Sequence, residues 1–125
     1  MKKWLFIVMF PLCISLYAQE SPRGPHKGAI ATVGEYKIEA GGCNEYLEVY
    51  VYDKFMESML NAGIAGDVIY YNGKEAGIAV KLVNYGNDGF TAKYPSYYFS
   101  DYKVTVNIQG VTYSARFKNQ CVIPN

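Results

Sequence analysis

Only one side chain in the chain can act as an imidazole, His26, and it stands in the segment GPHKGAIATVGEYKIEA, residues 24–40. A neutral imidazole suits copper, zinc or nickel, but one histidine does not make a site. The softest further donors are Met56 and Met59, in DKFMESMLNAG. Thioethers select copper(I) and oxidise less readily than thiols. His26, Met56 and Met59 are therefore the candidate metal ligands, with copper(I) as the ion they would choose and Glu39 as a neighbour that could assist. Each residue also has a plain structural reading. His26 would be a solvated residue of an arm. The two methionines, one helical turn apart, would pack over the end of a domain, because methionine fills irregular gaps.

Tyrosine is the second group with chemistry to offer. The run YPSYYFSDY, residues 94–102, holds Tyr94, Tyr97, Tyr98, Phe99 and Tyr102. A rigid ring with a polar tip can stack on a sugar or anchor a protein partner. Tyr97, Tyr98 and Tyr102 are the candidate partner-binding residues, and Tyr46, Tyr50 and Tyr52 extend the platform if they face outward. The competing reading is aromatic pairing across strands on a half-buried sheet face.

Enzyme chemistry finds little footing. A Ser/His/Asp arrangement would need its serine and aspartate beside His26. Glu45 and Glu48 are paired carboxylates with nothing that gives them a shared cleft. Asn87-Asp88-Gly89 lacks the remaining ligands of a calcium loop and reads as a turn. No catalytic residue is assigned, and the expectation is a protein that is not an enzyme.

The N-terminus reads as a secretory signal, residues 1–18. Lys2 and Lys3 form the positive region, WLFIVMFPLCISLY the apolar region, and Ala18 the residue before cleavage. Cys13 follows Pro11 and Leu12, a context unlike that of a lipidated cysteine. Cleavage after Ala18 makes His26 the eighth mature residue, so it cannot serve an amino-terminal copper chelate, which needs its histidine third. No second apolar run follows, so no transmembrane segment is expected in the mature chain. The full chain carries 12 Lys+Arg against 11 Asp+Glu, near neutrality and without a basic run, which excludes the phosphate neutralisation that nucleic-acid binding requires. Cys43 and Cys121 would remain in an oxidising compartment, where a disulfide is the default. A two-thiolate metal site is the alternative, though neither cysteine stands in a C-x-x-C unit.

These residues would be positioned by strands. Residues 19–27 are polar and rich in proline and glycine, a flexible arm. Beyond them, short alternating runs recur between Gly, Asn and Asp punctuation: 29–33, 35–40, 46–53, 64–71, 77–83, 89–94, 102–109 and 111–118. Leu47, Val49 and Val51 share one face of the third run; Ile78, Val80 and Leu82 share one face of the fifth. Asn72-Gly73 suits a type I′ hairpin. About eight strands, each with one apolar face, imply a single all-β domain over 28–125, an antiparallel β-sandwich of immunoglobulin-like proportions. A small closed β-barrel is the alternative.

The order of turn glycines and strand residues also resembles a family of small exported proteins of Bacteroidota-type bacteria, some of which accompany heavy-metal efflux components. The matching residues are His26-Lys27-Gly28, Gly34-Glu35-Tyr36-Lys37-Ile38-Glu39, Tyr52-Asp53, Asn61-Ala62-Gly63-Ile64-Ala65-Gly66, Gly86-Asn87-Asp88-Gly89-Phe90 and Ser114-Ala115-Arg116-Phe117. Lys27 stands where the family's His-Gly-Gly motif has a glycine. The resemblance implies a secreted, periplasmic β-sandwich. By association it implies a part in metal homeostasis, with an envelope protein or a metal efflux component as partner.

Overall fold

A computed structural model describes residues 23–43 and 45–120. The expected signal at 1–18, Cys13 and Cys121 lie outside the described residues. Ten strands follow in order: β1 Ala29–Val33, β2 Tyr36–Gly41, β3 Tyr46–Tyr52, β4 Ile64–Asn72, β5 Glu75–Ala76, β6 Val80–Lys81, β7 Val83–Tyr85, β8 Gly89–Lys93, β9 Asp101–Ile108 and β10 Val111–Lys118. The first sheet runs β1-β2-β3-β8-β7; the second runs β10-β9-β4-β5, with β6 also paired to β4. All pairings are antiparallel. The two sheets pack face to face as a β-sandwich and do not close into a barrel. No helix among the described residues is long and apolar enough to cross a membrane.

Alternation explains the core. The first sheet contributes Ile38, Ala40, Leu47, Val49, Val51, Phe90 and Ala92; the second contributes Val68, Tyr70, Tyr102, Val104, Val106, Ile108, Ala115 and Phe117. These are every-second residues of their strands, so each sheet offers one apolar face to the other.

The fifth expected run, 77–83, is not one strand. Tyr71 pairs with Ala76 and Val68 with Val80, so two residues of β4 face three residues, Gly77–Ala79, on the other chain. That extra residue is a β-bulge, and it resets the side-chain phase. Val80 and Leu82 still pack against the core, but Ile78 is thrown outward and stands 84% exposed. The neighbouring hairpin also differs from expectation. Asn72 pairs with Glu75, so the turn residues are Gly73 and Lys74. Only Gly73 has positive φ, at 66°, as in a type II′ turn with glycine first. Val111 is exposed at the start of its strand.

Candidate functional site

Period-2 alternation in β2 sends Ile38 and Ala40 into the core and must send Glu39 to the opposite face of the sheet. The same rule in β3 sends Tyr50 and Tyr52 outward, and register sets Glu39 directly opposite Tyr50. None of these three meets solvent. Glu39 is 1% exposed, and both tyrosines are buried.

What covers them is residues 23–28, of which 23–27 fall in the segment expected to be a flexible arm. In residues 23–28, Arg23 bridges to Ala29, Gly24 N–H donates to Gly28 O at 2.9 Å, and Lys27 N–H donates to Gly24 O at 2.8 Å. Lys27 takes the left-handed region with φ 69°. Two glycines permit the close approach. A Cβ on Gly24 would fall 2.5 Å from the Glu39 carboxyl carbon, and one on Gly28 would fall 2.7 Å from Ala40 O.

The Glu39 carboxylate fastens this loop. Its Oε2 accepts the backbone N–H of His26 at 2.9 Å and that of Gly28 at 2.8 Å. Its Oε1 accepts the Tyr52 hydroxyl at 2.5 Å. Burial, reinforced by this bond to Glu39, raises the Tyr52 phenol well above its ordinary range, so it stays protonated and donating. His26 is stacked flat on Tyr50, with ring centroids 3.6 Å apart and planes 5° from parallel. Its Nδ1 lies 3.2 Å from Tyr52 Oη and 3.4 Å from Glu39 Oε1.

Counting protons assigns the tautomer. Tyr52 has one proton, and it is given to Glu39. Toward His26 the phenol oxygen can then only accept, as the carboxylate does. Nδ1 must therefore be the donor, which leaves the lone pair of a neutral imidazole on Nε2. Nε2 has no hydrogen bond among the described residues, and the side chain is 40% exposed. The Tyr50 ring also lies against Gly89, where a Cβ would come within 2.7 Å of it, and its hydroxyl donates to Glu48 at 3.0 Å. Burial, then that bond to Glu48, raises the Tyr50 phenol too. A cavity of about 180 Å³ beside this cluster is lined by His26, Glu39, Glu48, Tyr50 and the glycines 28, 41 and 42. Among the described residues it has two carboxylates and no lysine or arginine.

The other expected site residues fall elsewhere. Met56 lies in a turn capped by the Asp53 carboxylate, which accepts the N–H groups of Phe55 and Glu57 at 2.8 and 3.0 Å. Its φ is 63° and its side chain is exposed. Met59 donates its N–H to Val51 O at 2.9 Å and packs its side chain against the core. His26 covers the opposite face of the same sheet, so the structure does not bring Met59 to it. Among the described residues no group of three or more His, Cys, Asp or Glu side chains could hold a metal ion.

Tyr97 and Tyr98 are exposed, at 47% and 57%. Tyr102 is not available to a partner. It is 4% exposed and stacked on Phe117 with centroids 5.6 Å apart, because its place in β9 is in phase with Val104 and Val106. The platform expected on 46–52 likewise reduces to Tyr46, since the 23–28 loop covers the other two. Asn87-Asp88-Gly89 is the turn into β8, tied down by buried Asn61, whose amide donates to Gly86 O at 3.0 Å and to Gly89 O at 2.8 Å. Cys43 lines a cavity of about 200 Å³ with Tyr94, Asn119 and Gln120.

Sequence reading named His26 and Glu39 but not the role of Tyr50 and Tyr52. The available signal was the β2–β3 register together with a histidine flanked by two glycines, a loop able to lie flat on a sheet. Comparison with protein-family models, with curated proteins and with solved structures gave no match.

Proposed function

We propose that the chain is an exported, non-enzymatic binding protein of the cell envelope, with Tyr97 and Tyr98 as its recognition surface for a glycan or an envelope protein. One observation carries the reading. Within 94–102 these two rings alone are exposed, while Tyr94 is half-buried and Phe99 and Tyr102 are packed inward. The loop that presents them is fastened. Ser100 N–H donates to Tyr71 O at 2.7 Å, the Asn119 amide donates to Phe99 O at 2.9 Å, and the Tyr97 hydroxyl lies over Gly77, where a Cβ would fall 2.0 Å from it. Ile78, beside Gly77, adds apolar area. Ordered aromatic rings lose little conformational entropy on binding.

The test is a nuclear magnetic resonance titration with cell-wall oligosaccharides and with solubilised envelope proteins. Signals of Tyr97, Tyr98 and Ile78 should shift, and Tyr97→Ala/Tyr98→Ala should abolish binding with the fold intact. Unchanged binding by the double variant removes this surface from the function.

A Cys43–Cys121 disulfide belongs to the same reading. Cys43 shares a cavity with Gln120, the residue before Cys121, and a staple there would tie the C-terminal segment to the end of β2. A part in metal-ion homeostasis is a second reading. It rests on the family resemblance and on His26, whose Nε2 has no hydrogen bond among the described residues. Copper(I) titration under reducing conditions, with no heat at micromolar protein, would remove the Met56, Met59 and His26 ligand set.

A further inference from the structure

We propose that His26 Nε2 and the Glu48 carboxylate form a site for one borderline divalent transition ion of the zinc or copper(II) class, with Glu39 holding the imidazole from behind. The site is independent of the tyrosine surface. It gives the metal-ion reading a location and rests on that reading only for its biological purpose.

Three observations lead to it. The tautomer argued above puts the lone pair on the one ring nitrogen without a hydrogen bond among the described residues. Metal-binding histidines characteristically donate their other ring N–H to a carboxylate, which fixes the tautomer and orients the ring. Here the Nδ1 side meets Glu39 and Tyr52, and Glu39 is held by two backbone amides and a phenol before any ion arrives. The ring is then locked against rotation by its flat contact with Tyr50, so little ordering remains for binding to impose.

The cavity supplies the second donor and the charge. Glu48 stands at the hydroxyl end of the tyrosine on which His26 lies, and both line the same small space. That space is negative, and among the described residues no lysine or arginine lines it. Imidazole nitrogen with carboxylate oxygen matches zinc and copper(II); a soft copper(I) ion would want thioether or thiolate. Magnesium and calcium need more oxygens than the cavity offers. An ammonium group would be drawn by the carboxylates but would leave the Nε2 lone pair without the metal bond that its geometry suits. Two protein donors leave the remaining positions to water, so the ion exchanges readily.

The experiment is isothermal titration of the protein with zinc chloride, paired with nuclear magnetic resonance of the His26 ring. The expected result is saturable binding of one ion, with the His26 ring signals moving and nitrogen shifts reporting Nε2 as the unprotonated nitrogen before zinc is added. His26→Gln should abolish this binding. Glu48→Gln should weaken it at least about tenfold. Glu39→Gln should weaken it by about 10–100-fold, the usual cost of losing the outer partner of a metal-bound histidine, and should disturb the tautomer as well. Circular dichroism confirms that each variant is folded, and Glu48→Gln, at a partly exposed position, tests the site even if Glu39→Gln unfolds. Zinc binding unchanged in His26→Gln or in Glu48→Gln overturns the site while leaving metal handling elsewhere in the chain possible. No binding up to millimolar zinc overturns both the site and the metal-ion reading. Tyr97→Ala/Tyr98→Ala should leave zinc binding unaltered.

Discussion

The carboxylate of Glu39 joins parts of the chain that are distant in sequence: the 24–28 loop, β2 and the end of β3. The Gly28 N–H and the Tyr52 hydroxyl aimed at it are buried and the His26 N–H is partly so, and a buried donor left unpaired costs about 1–3 kcal/mol. Glu39→Ala should therefore destabilise the fold by about 3 kcal/mol, read as a lower urea midpoint. A shift of only a few tenths would mean that the loop rests on contacts other than this carboxylate. Tyr52→Phe removes one hydrogen bond without opening a cavity and should cost about 1 kcal/mol. Asn61 has a comparable task, since its amide holds both ends of the β7–β8 turn. His26 was legible as the chain's only imidazole, and Glu39 as a residue that could assist it. Their joint arrangement was not legible, because a hydrogen bond across 13 residues depends on how a loop folds back, which local spacing does not encode.

The elements themselves follow closely from alternation, and departures from it have local causes. The β9–β10 hairpin turns through Gln109 and Gly110, both with positive φ, 53° and 85°, the pattern of a type I′ turn. Glutamine is poorly suited to that conformation, whereas asparagine tolerates it. Gln109→Asn should raise stability by about 0.5–1 kcal/mol. Equal or lower stability in denaturant would show that the Gln109 side chain contributes more than its backbone strain costs. In β4, Gly66 lies so close to β9 that a Cβ would fall 2.2 Å from Thr105 O. Gly66→Ala cannot be absorbed by a flexible side chain and should cost about 3 kcal/mol or more, seen as a collapse of the thermal midpoint. The strands at 29–33, 46–52, 89–93 and 111–118 were readable because each keeps one phase from end to end. The 77–83 run was misread because a bulge is set by the partner strand, and Ile78, Val80 and Leu82 look in phase until β4 is placed beside them.

Across the whole molecule, several tyrosines are buried or half-buried, and their titration links stability to alkaline pH. Burial raises the Tyr94 phenol to about 12 and moves Tyr70 and Tyr102 upward as well, with neighbouring tyrosines adding to the effect. The unfolded value is 10.0. A phenol whose folded value is raised contributes its full stability below that unfolded value, and the contribution is lost as pH climbs through the folded one. Stability should thus be flat up to about pH 9 and fall beyond pH 10, by about 1.4 kcal/mol per pH unit for each phenol kept protonated. Phenolate absorbance of the Tyr70, Tyr94 and Tyr102 rings should therefore appear together with unfolding. A single smooth titration near the unfolded value would contradict the burial of these rings. Taken alone, the sequence determined the near-neutral charge, the period-2 strands, the turn glycines and thereby an antiparallel sandwich, because those properties depend on neighbours in the chain. Only the tertiary structure decided which outward-facing side chains are covered. Tyr50, Tyr52 and Glu39 lie beneath the 23–28 loop and Tyr102 faces the opposing sheet, while Tyr97 and Tyr98 remain in solvent. Coverage of a sheet face is a contact between segments far apart in the chain, and alternation specifies the face but not what comes to lie on it.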